Sequence, residues 1–315
     1  MGDLIAADLK NRKGLVIDGA MATELEKRGV DTGSDLWSAA ALIDHPQAIV
    51  DVHKHYFENG ADVATTNTYQ ANVSKFMELG RTRAESESLI VKAVHLAQIA
   101  RDEYFDSLTD EQRKHRVPRP LIAGSVGPYG AYLADGSEYR GDYDLTATEY
   151  QDFHYPRMKL LDQAGVDLFA FETQPNFDEA NALVDLLMEK FPQQQAWLSF
   201  SVKDEDTLCD GTSLTEAIKY FNGAEQISAI GVNCTTLENI QEIIRNVKQV
   251  TDKPIIVYPN NGDIYDPETK TWQANSQADT FKDLVPTWLA EGAQLVGGCC
   301  RTTPKDIKEI SDFIN

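Results

Sequence analysis

The chain has 315 residues, of which 42 % are hydrophobic and 25 % charged, the proportions of a globular protein with room for a sizeable core. Fifty acidic residues against 29 basic ones give a formal net charge of −21. That charge would repel a phosphate backbone and argues against nucleic-acid binding, while serving solubility and mildly attracting cationic small molecules. Four cysteines are too few for a disulfide scaffold and suit a reducing compartment.

The chain starts Met1-Gly2-Asp3-Leu4-Ile5-Ala6-Ala7-Asp8. Acids and the lack of a long apolar run exclude a signal peptide, and Ala6 stands where a myristoylation signal needs Ser or Thr. No segment reaches the ~18 apolar residues of a membrane span, so a cytosolic protein with no membrane partner is expected. Short apolar or β-branched runs follow at 14–18, 62–66, 121–125, 167–171, 196–201, 229–232, 254–258 and 294–296. Amphipathic patterns separate them, at 46–59, 83–104, 155–164, 177–190, 213–221, 237–250, 278–290 and 304–314. In the first of these, Ile49, Val50, His53 and Phe57 share one face. Asn176, and Thr303 before Pro304, are helix starts; Asn59-Gly60, Ala164-Gly165 and Glu291-Gly292 are helix stops. The polar stretch 106–119 reads as a surface connection.

Strands that alternate with helices imply a parallel sheet. Eight such units in this length favour closure into an α/β (β/α)8 TIM barrel, a single domain over 1–315. An open doubly wound sheet is the alternative. It would bind nucleotide through a glycine-rich first turn, and Asp18-Gly19-Ala20-Met21-Ala22 does not make the GxGxxG pattern. No arm extends past the last unit, so a monomer is expected.

Barrel active sites lie where strands end, and polar residues follow the apolar runs in that sense. The runs end in Asp18-Gly19-Ala20-Met21, Thr66-Asn67-Thr68-Tyr69-Gln70, Ser125-Val126-Gly127-Pro128, Glu172-Thr173-Gln174, Asn233-Cys234, Pro259-Asn260-Asn261-Gly262 and Gly298-Cys299-Cys300. Barrel closure would thus bring Cys234, Cys299 and Cys300 to one rim, where three thiolates can hold a zinc ion with one position open. Two other readings exist: buried cysteines as apolar filler, and a strained bond between Cys299 and Cys300 acting as a redox switch. Cys209, in the polar stretch 204–211, reads as a bystander.

The segment 129–144 is long, glycine-rich and holds Tyr129, Tyr132, Tyr139 and Tyr143. On an active rim it is either a lid or binding wall, or a packed loop without a ligand. The six histidines fall on helices or loops, and none is assigned to metal.

The segments Asp18-Gly19-Ala20-Met21-Ala22-Thr23-Glu24-Leu25, Thr66-Asn67-Thr68-Tyr69, Gly231-Val232-Asn233-Cys234 and Gly297-Gly298-Cys299-Cys300-Arg301-Thr302-Thr303-Pro304 together resemble the homocysteine S-methyltransferases. The resemblance covers nearly the whole chain, and the Gly-Gly-Cys-Cys plus Asn-Cys combination is its specific part. It implies a zinc-dependent barrel that moves a methyl group onto the sulfur of L-homocysteine, giving methionine. Cys234, Cys299 and Cys300 would be the catalytic zinc ligands. Backbone amides at Gly19, Ala20 and Met21 would hold the substrate carboxylate. Glu172, with Asp18, would pair its ammonium, unless Asp18 merely caps a helix and Glu172 is a satisfied rim acid. Asn233 would orient ligands, Asn67 and Asn260 would line the donor side, and Tyr129 or Tyr132 would face a sulfonium.

Some members of the family carry folate and cobalamin modules, for which this chain leaves no room, and some use betaine. The stretch from Gly127 to Gly141 looks instead like members using S-methylmethionine or S-adenosylmethionine, and betaine-type members tend to have an aromatic where this chain has Gln70. A selenocysteine acceptor, or a non-catalytic zinc or redox thiol protein, are the alternatives.

Overall fold

A computed structural model describes residues 2–315 apart from 11, 34–36, 117, 267–270, 274 and 276–278. Its strands are β1 Leu15–Val16, β2 Val63–Thr65, β3 Leu121–Val126, β4 Leu168–Gln174, β5 Ala196–Phe200, β6 Ile227–Asn233, β7 Ile255–Tyr258, β8 Ile264–Asp266, β9 Thr271–Gln273 and β10 Ala293–Val296. All but β8 and β9 form one parallel sheet in the order β1-β10-β7-β6-β5-β4-β3-β2. Ile17 bridges Val63 in parallel. The Asp62 amide donates to Val16 O at 2.7 Å and the Asp18 amide to Val63 O at 3.0 Å. These bonds join β1 to β2 and close the sheet into the expected (β/α)8 barrel. The hairpin β8–β9 is an insertion between its last two strands.

The barrel strands are buried on both faces, which is why they read as continuous apolar runs. Alternation still sorts them. Leu15, Ile17, Val63, Ala123, Leu168, Ala170, Trp197, Ala229, Ile256 and Leu295 fill the lumen. Val16, Ala64, Ile122, Phe169, Leu198, Ile230, Val257 and Val296 face the outer helices. Ile5, on the helix Leu4–Leu9, joins the lumen cluster and so covers one end of the barrel.

Most helices match their sequence patterns to within a few residues: Pro46–Glu58, Arg83–Ser107, Phe177–Lys190, Leu214–Phe221, Ile240–Lys248, Phe281–Glu291 and Pro304–Ile314. Position 278, included in one expected helix, lies outside the described residues. The helix expected at 155–164 is Ala147–Gln163 instead. A capping box between Thr146 and Glu149 starts it, and it continues through Pro156. The proline forfeits one backbone bond, but nine residues of established helix precede it. The 106–119 connection holds a short helix, Asp110–His115, opened by its own capping box. No helix among the described residues is long and apolar enough to cross a membrane.

His53 does lie on the buried face of Pro46–Glu58, fully inaccessible, and neither ring nitrogen finds a hydrogen-bond partner among the described residues. Burial alone lowers its pKa from 6.5 to about 4. The native ring therefore stays neutral while an unfolded one takes up a proton. Stability is unaffected by this group above pH 6.5 and is lost progressively as pH falls from there to about 4. The loss from this residue should total about 3 kcal/mol. Chemical denaturation at pH 7 and pH 4.5 should show a clearly smaller acid loss for His53→Leu than for the unsubstituted chain. Equal losses would mean that the native ring finds a proton-accepting partner and protonates as readily as an unfolded one.

Candidate active site

Strand β6 ends in Asn233, and Cys234 follows in a left-handed turn with φ 53°. Strand β10 ends in Val296, and Gly297-Gly298 lead to Cys299 and Cys300. At Gly298 a Cβ would collide with the Thr302 side chain, so the turn needs glycine for space. Strand β7 lies between β6 and β10 in the sheet and ties the two cysteine segments together. Cys234 N donates to Tyr258 O at 3.2 Å, and Cys299 N to Pro259 O at 2.8 Å. Cys300 N donates to Asn260 Oδ1 at 3.0 Å.

The three sulfurs lie within 4.8 Å of one another, with Cys234 Sγ and Cys300 Sγ 3.6 Å apart. Tetrahedral thiolate ligands at about 2.3 Å from zinc would be about 3.8 Å apart, so the spacing is that of metal ligands. Hydrogen bonds from Cys234 and Cys299 hold the Cys300 thiol well below its ordinary range. Cys299, facing Cys234 and Cys300, is pushed well above it. Without a cation the cluster therefore supports one thiolate readily but not three. A divalent metal supplies the missing charge. Among the described residues no other group of three or more His, Cys, Asp or Glu side chains has metal-binding geometry. Cys209 stands apart, half-buried, with its thiol 3.5 Å from Ser201 Oγ.

Beside the sulfurs opens a cavity of about 740 Å³. Two buried carboxylates reach into it. Thr65 donates to Asp18 through its amide and its hydroxyl, both at 3.0 Å, yet burial pushes this carboxyl well above its usual range. Asp18 caps no helix: the following helix, Met21–Lys27, has Ala20 at its cap. Glu172 lies two residues before the end of β4, where Ser125 Oγ donates to one oxygen and Tyr258 Oη to the other at 3.3 Å. Burial raises its pKa to about 7 despite both bonds. Each acid is thus primed for a cationic partner.

Gly19, Ala20 and Met21 line the same cavity. The Ala20 amide is already spent on Thr302 Oγ1, at 3.1 Å, which leaves Gly19 and Met21 for a ligand. Asn67 lines it too, but both ends of its amide bond Ser38. Asn233 is fully buried behind the sulfurs. Its Oδ1 accepts from Thr173 N at 2.7 Å and Ser199 Oγ at 2.6 Å, and its Nδ2 lies 4.0 Å from Cys299 Sγ. Asn260 holds Cys300 rather than facing the cavity, and Gln70 bonds Ala131 O.

The tyrosine-rich loop corrects one expectation. Tyr129 does not line the cavity; its ring packs tilted against Tyr132 and edge-to-face against Tyr143 and Phe153, at centroid distances of 5.8, 5.6 and 5.0 Å. Its amide donates to the buried Glu179 at 2.6 Å. Three of the loop's tyrosines thus build a packed wall, and the fourth, Tyr139, reaches the cavity with its hydroxyl 3.3 Å from Cys234 Sγ. Spacing cannot tell these tyrosines apart, because the loop is folded by contacts with the helix Ala147–Gln163. Ser125 and Tyr258 hold Glu172, a role that their place near strand ends does not by itself reveal. The available signal was period-2 alternation, which turns both into the lumen beside β4. Among the described residues the four non-glycine residues in left-handed backbone, Ala134, Thr173, Cys234 and Arg301, all line this cavity. Backbone strain of this kind gathers at functional sites.

Residues 15–314 match the family described as homocysteine S-methyltransferase. The chain is 48 % identical over 297 residues to homocysteine S-methyltransferase YbgG of Bacillus subtilis (strain 168), covering 94 % of this chain and 93 % of the relative. It is 46 % identical to homocysteine S-methyltransferase of Escherichia coli (strain K12), covering 93 % of each. The solved metallated form of the homocysteine methyltransferase MmuM from Escherichia coli superposes with a TM-score of 0.87 at 42 % identity, covering 98 % of this chain and 99 % of that one.

Asn233→Ala leaves the Thr173 amide and the Ser199 hydroxyl buried without their acceptor. It should cost about 2–4 kcal/mol of unfolding free energy, read by denaturant titration. A loss below about 0.5 kcal/mol would show that water replaces the asparagine at no cost.

Proposed function

The chain belongs to the homocysteine S-methyltransferase family, and we propose that it methylates the sulfur of L-homocysteine from a sulfonium donor, with zinc held by Cys234, Cys299 and Cys300. The observation that carries this reading is the cluster of three sulfurs within 4.8 Å beside a cavity holding Asp18 and Glu172. A donor set of three thiolates suits zinc, whose catalytic sites keep one position open. When bound, zinc supplies positive charge that favours the thiolate form of a sulfur beside it.

The protein's own groups do the positioning. Glu172, seconded by Asp18, takes the ammonium of homocysteine, which compensates a carboxylate that burial otherwise drives toward protonation. The Gly19 and Met21 amides take its carboxylate. Tyr139, rather than Tyr129, presents an aromatic face to the sulfonium. The nucleophilic sulfur forms a bond to the methyl carbon as the donor's bond from sulfur to that methyl breaks. The electron pair of that bond returns to the donor sulfur, which leaves as a neutral thioether and needs no general acid. Alignment is the main remaining requirement, and it contributes up to about 7–11 kcal/mol. The reading also takes the chain as a cytosolic monomer acting on small molecules.

Methionine formation from homocysteine, followed by mass spectrometry with S-methylmethionine, S-adenosylmethionine and betaine in parallel, tests the reaction. Turnover with a sulfonium donor should disappear in Cys234→Ser, Cys299→Ser and Cys300→Ser, and with chelator, while Cys209→Ser stays active. Turnover with betaine alone would overturn the donor assignment, and no turnover with one zinc bound would overturn the reaction.

Glu172 gives a separate test. Only its carboxylate form pairs an ammonium, so the KM for homocysteine should fall as pH rises through about 7. Glu172→Gln should raise that KM roughly 10- to 100-fold at pH 8 and remove the inflection. An inflection that survives in the variant would assign it to another group.

A further inference from the structure

Four carboxylates line the cavity among the described residues, Asp18, Glu26, Asp31 and Glu172, against a single cation, Arg301. Arg301 sits at φ 66°, a left-handed backbone conformation that strains a side-chain-bearing residue and that glycine adopts freely. The adjacent turn uses glycine freely, at Gly297 and Gly298. An arginine at a position suited to glycine indicates that its side chain has a task.

The side chain is held for one. Asn261 Nδ2 donates to Arg301 O at 3.1 Å, and Asp263 Oδ2 accepts from Arg301 Nε at 3.2 Å. Asp263 is fixed in turn by its amide, which donates to Asn261 Oδ1 at 2.9 Å. On the far side Arg301 Nη1 lies 3.5 Å from Glu26 Oε2, on the helix Met21–Lys27. The guanidinium thus spans the cavity's outer rim from the end of β10 to that helix. These contacts use part of a planar fork of five N–H donors, a shape that pairs with a carboxylate through two bonds.

The charges also divide by depth. Asp18 and Glu172 are buried beside the sulfurs, whereas the Arg301 and Glu26 side chains are 30 % and 48 % exposed. Deep in the cavity only cations find opposite charge in a side chain. At the rim both ends of a free amino acid do, its carboxylate at Arg301 and its ammonium at Glu26 or Asp31. We propose that Arg301 binds the α-carboxylate of the methyl donor and so selects sulfonium donors that are free amino acids. This rests on the sulfonium reading above, with homocysteine in the inner position.

The experiment uses zinc-loaded enzyme and two donors. One is S-methylmethionine; the other is (3-aminopropyl)dimethylsulfonium, the same molecule without its carboxylate. Arg301→Gly should raise the KM for S-methylmethionine about 10- to 100-fold, with the KM for homocysteine and kcat within about threefold. Arg301→Lys should recover part of the loss. For the decarboxylated donor the unsubstituted enzyme and Arg301→Gly should give the same KM, since no carboxylate is left to read. Glycine relaxes the backbone here, so an equal or higher melting temperature for Arg301→Gly is expected and separates lost binding from lost folding. An unchanged KM for S-methylmethionine, or equal rises for both donors or for homocysteine, would overturn the proposal. A failure of the sulfonium reading itself looks different: the unsubstituted enzyme would turn over neither donor, which removes the proposal with it.

Discussion

Three sulfur atoms within 4.8 Å set the terms for everything around them, because each is an acid whose charge opposes the other two. Their hydrogen bonds split the three thiols, Cys300 down and Cys299 up, and only an added cation lets all three ionise together. Such a cluster must be held by something other than its own attraction. The barrel does this through β7, whose end supplies Tyr258 O, Pro259 O and Asn260 Oδ1 as acceptors for the amides of Cys234, Cys299 and Cys300. The scaffold's hydrogen bonds fix the backbone and leave the sulfurs free for a ligand.

Charge organises the rest of the rim. Burial drives Asp18 and Glu172 toward protonation, and neighbouring hydroxyls and an amide offset this only in part. A ligand ammonium would complete the compensation, which would link ligand binding to carboxylate ionisation. Arg301 is the counterweight at the outer edge. Polar side chains behind the ligand-facing groups matter as much as those groups themselves: Ser125 and Tyr258 orient Glu172, and Asn233 braces the turn at Thr173 behind Cys299.

Strain follows the same geography. Thr173 near the end of β4, and Cys234 and Arg301 beyond the ends of β6 and β10, are in left-handed backbone, as is Ala134 in the tyrosine-rich loop. A strand that simply continued would turn successive side chains alternately into the lumen and out to the helices; a left-handed residue breaks that alternation beside the cavity. The cost is met by a scaffold whose lumen and outer layer are both fully packed.

The sequence by itself determined the alternation of strands and helices, the strand ends that carry polar residues, and the pairing of an Asn-Cys with a Gly-Gly-Cys-Cys segment. These are local patterns, and period and spacing encode them directly. His53 on an apolar helix face was legible for the same reason. Which of four loop tyrosines reaches the cavity was not, because Tyr129, Tyr132 and Tyr143 are claimed by packing against one another and against Phe153 on the following helix, contacts that no sequence period encodes. Nor was it legible that the Ala20 amide is spent on Thr302, 282 residues away, or that Arg301 is the cavity's lone cation among the described residues. Those assignments belong to tertiary structure, since a hydrogen bond or charge pair is decided by distances that only closure of the barrel creates.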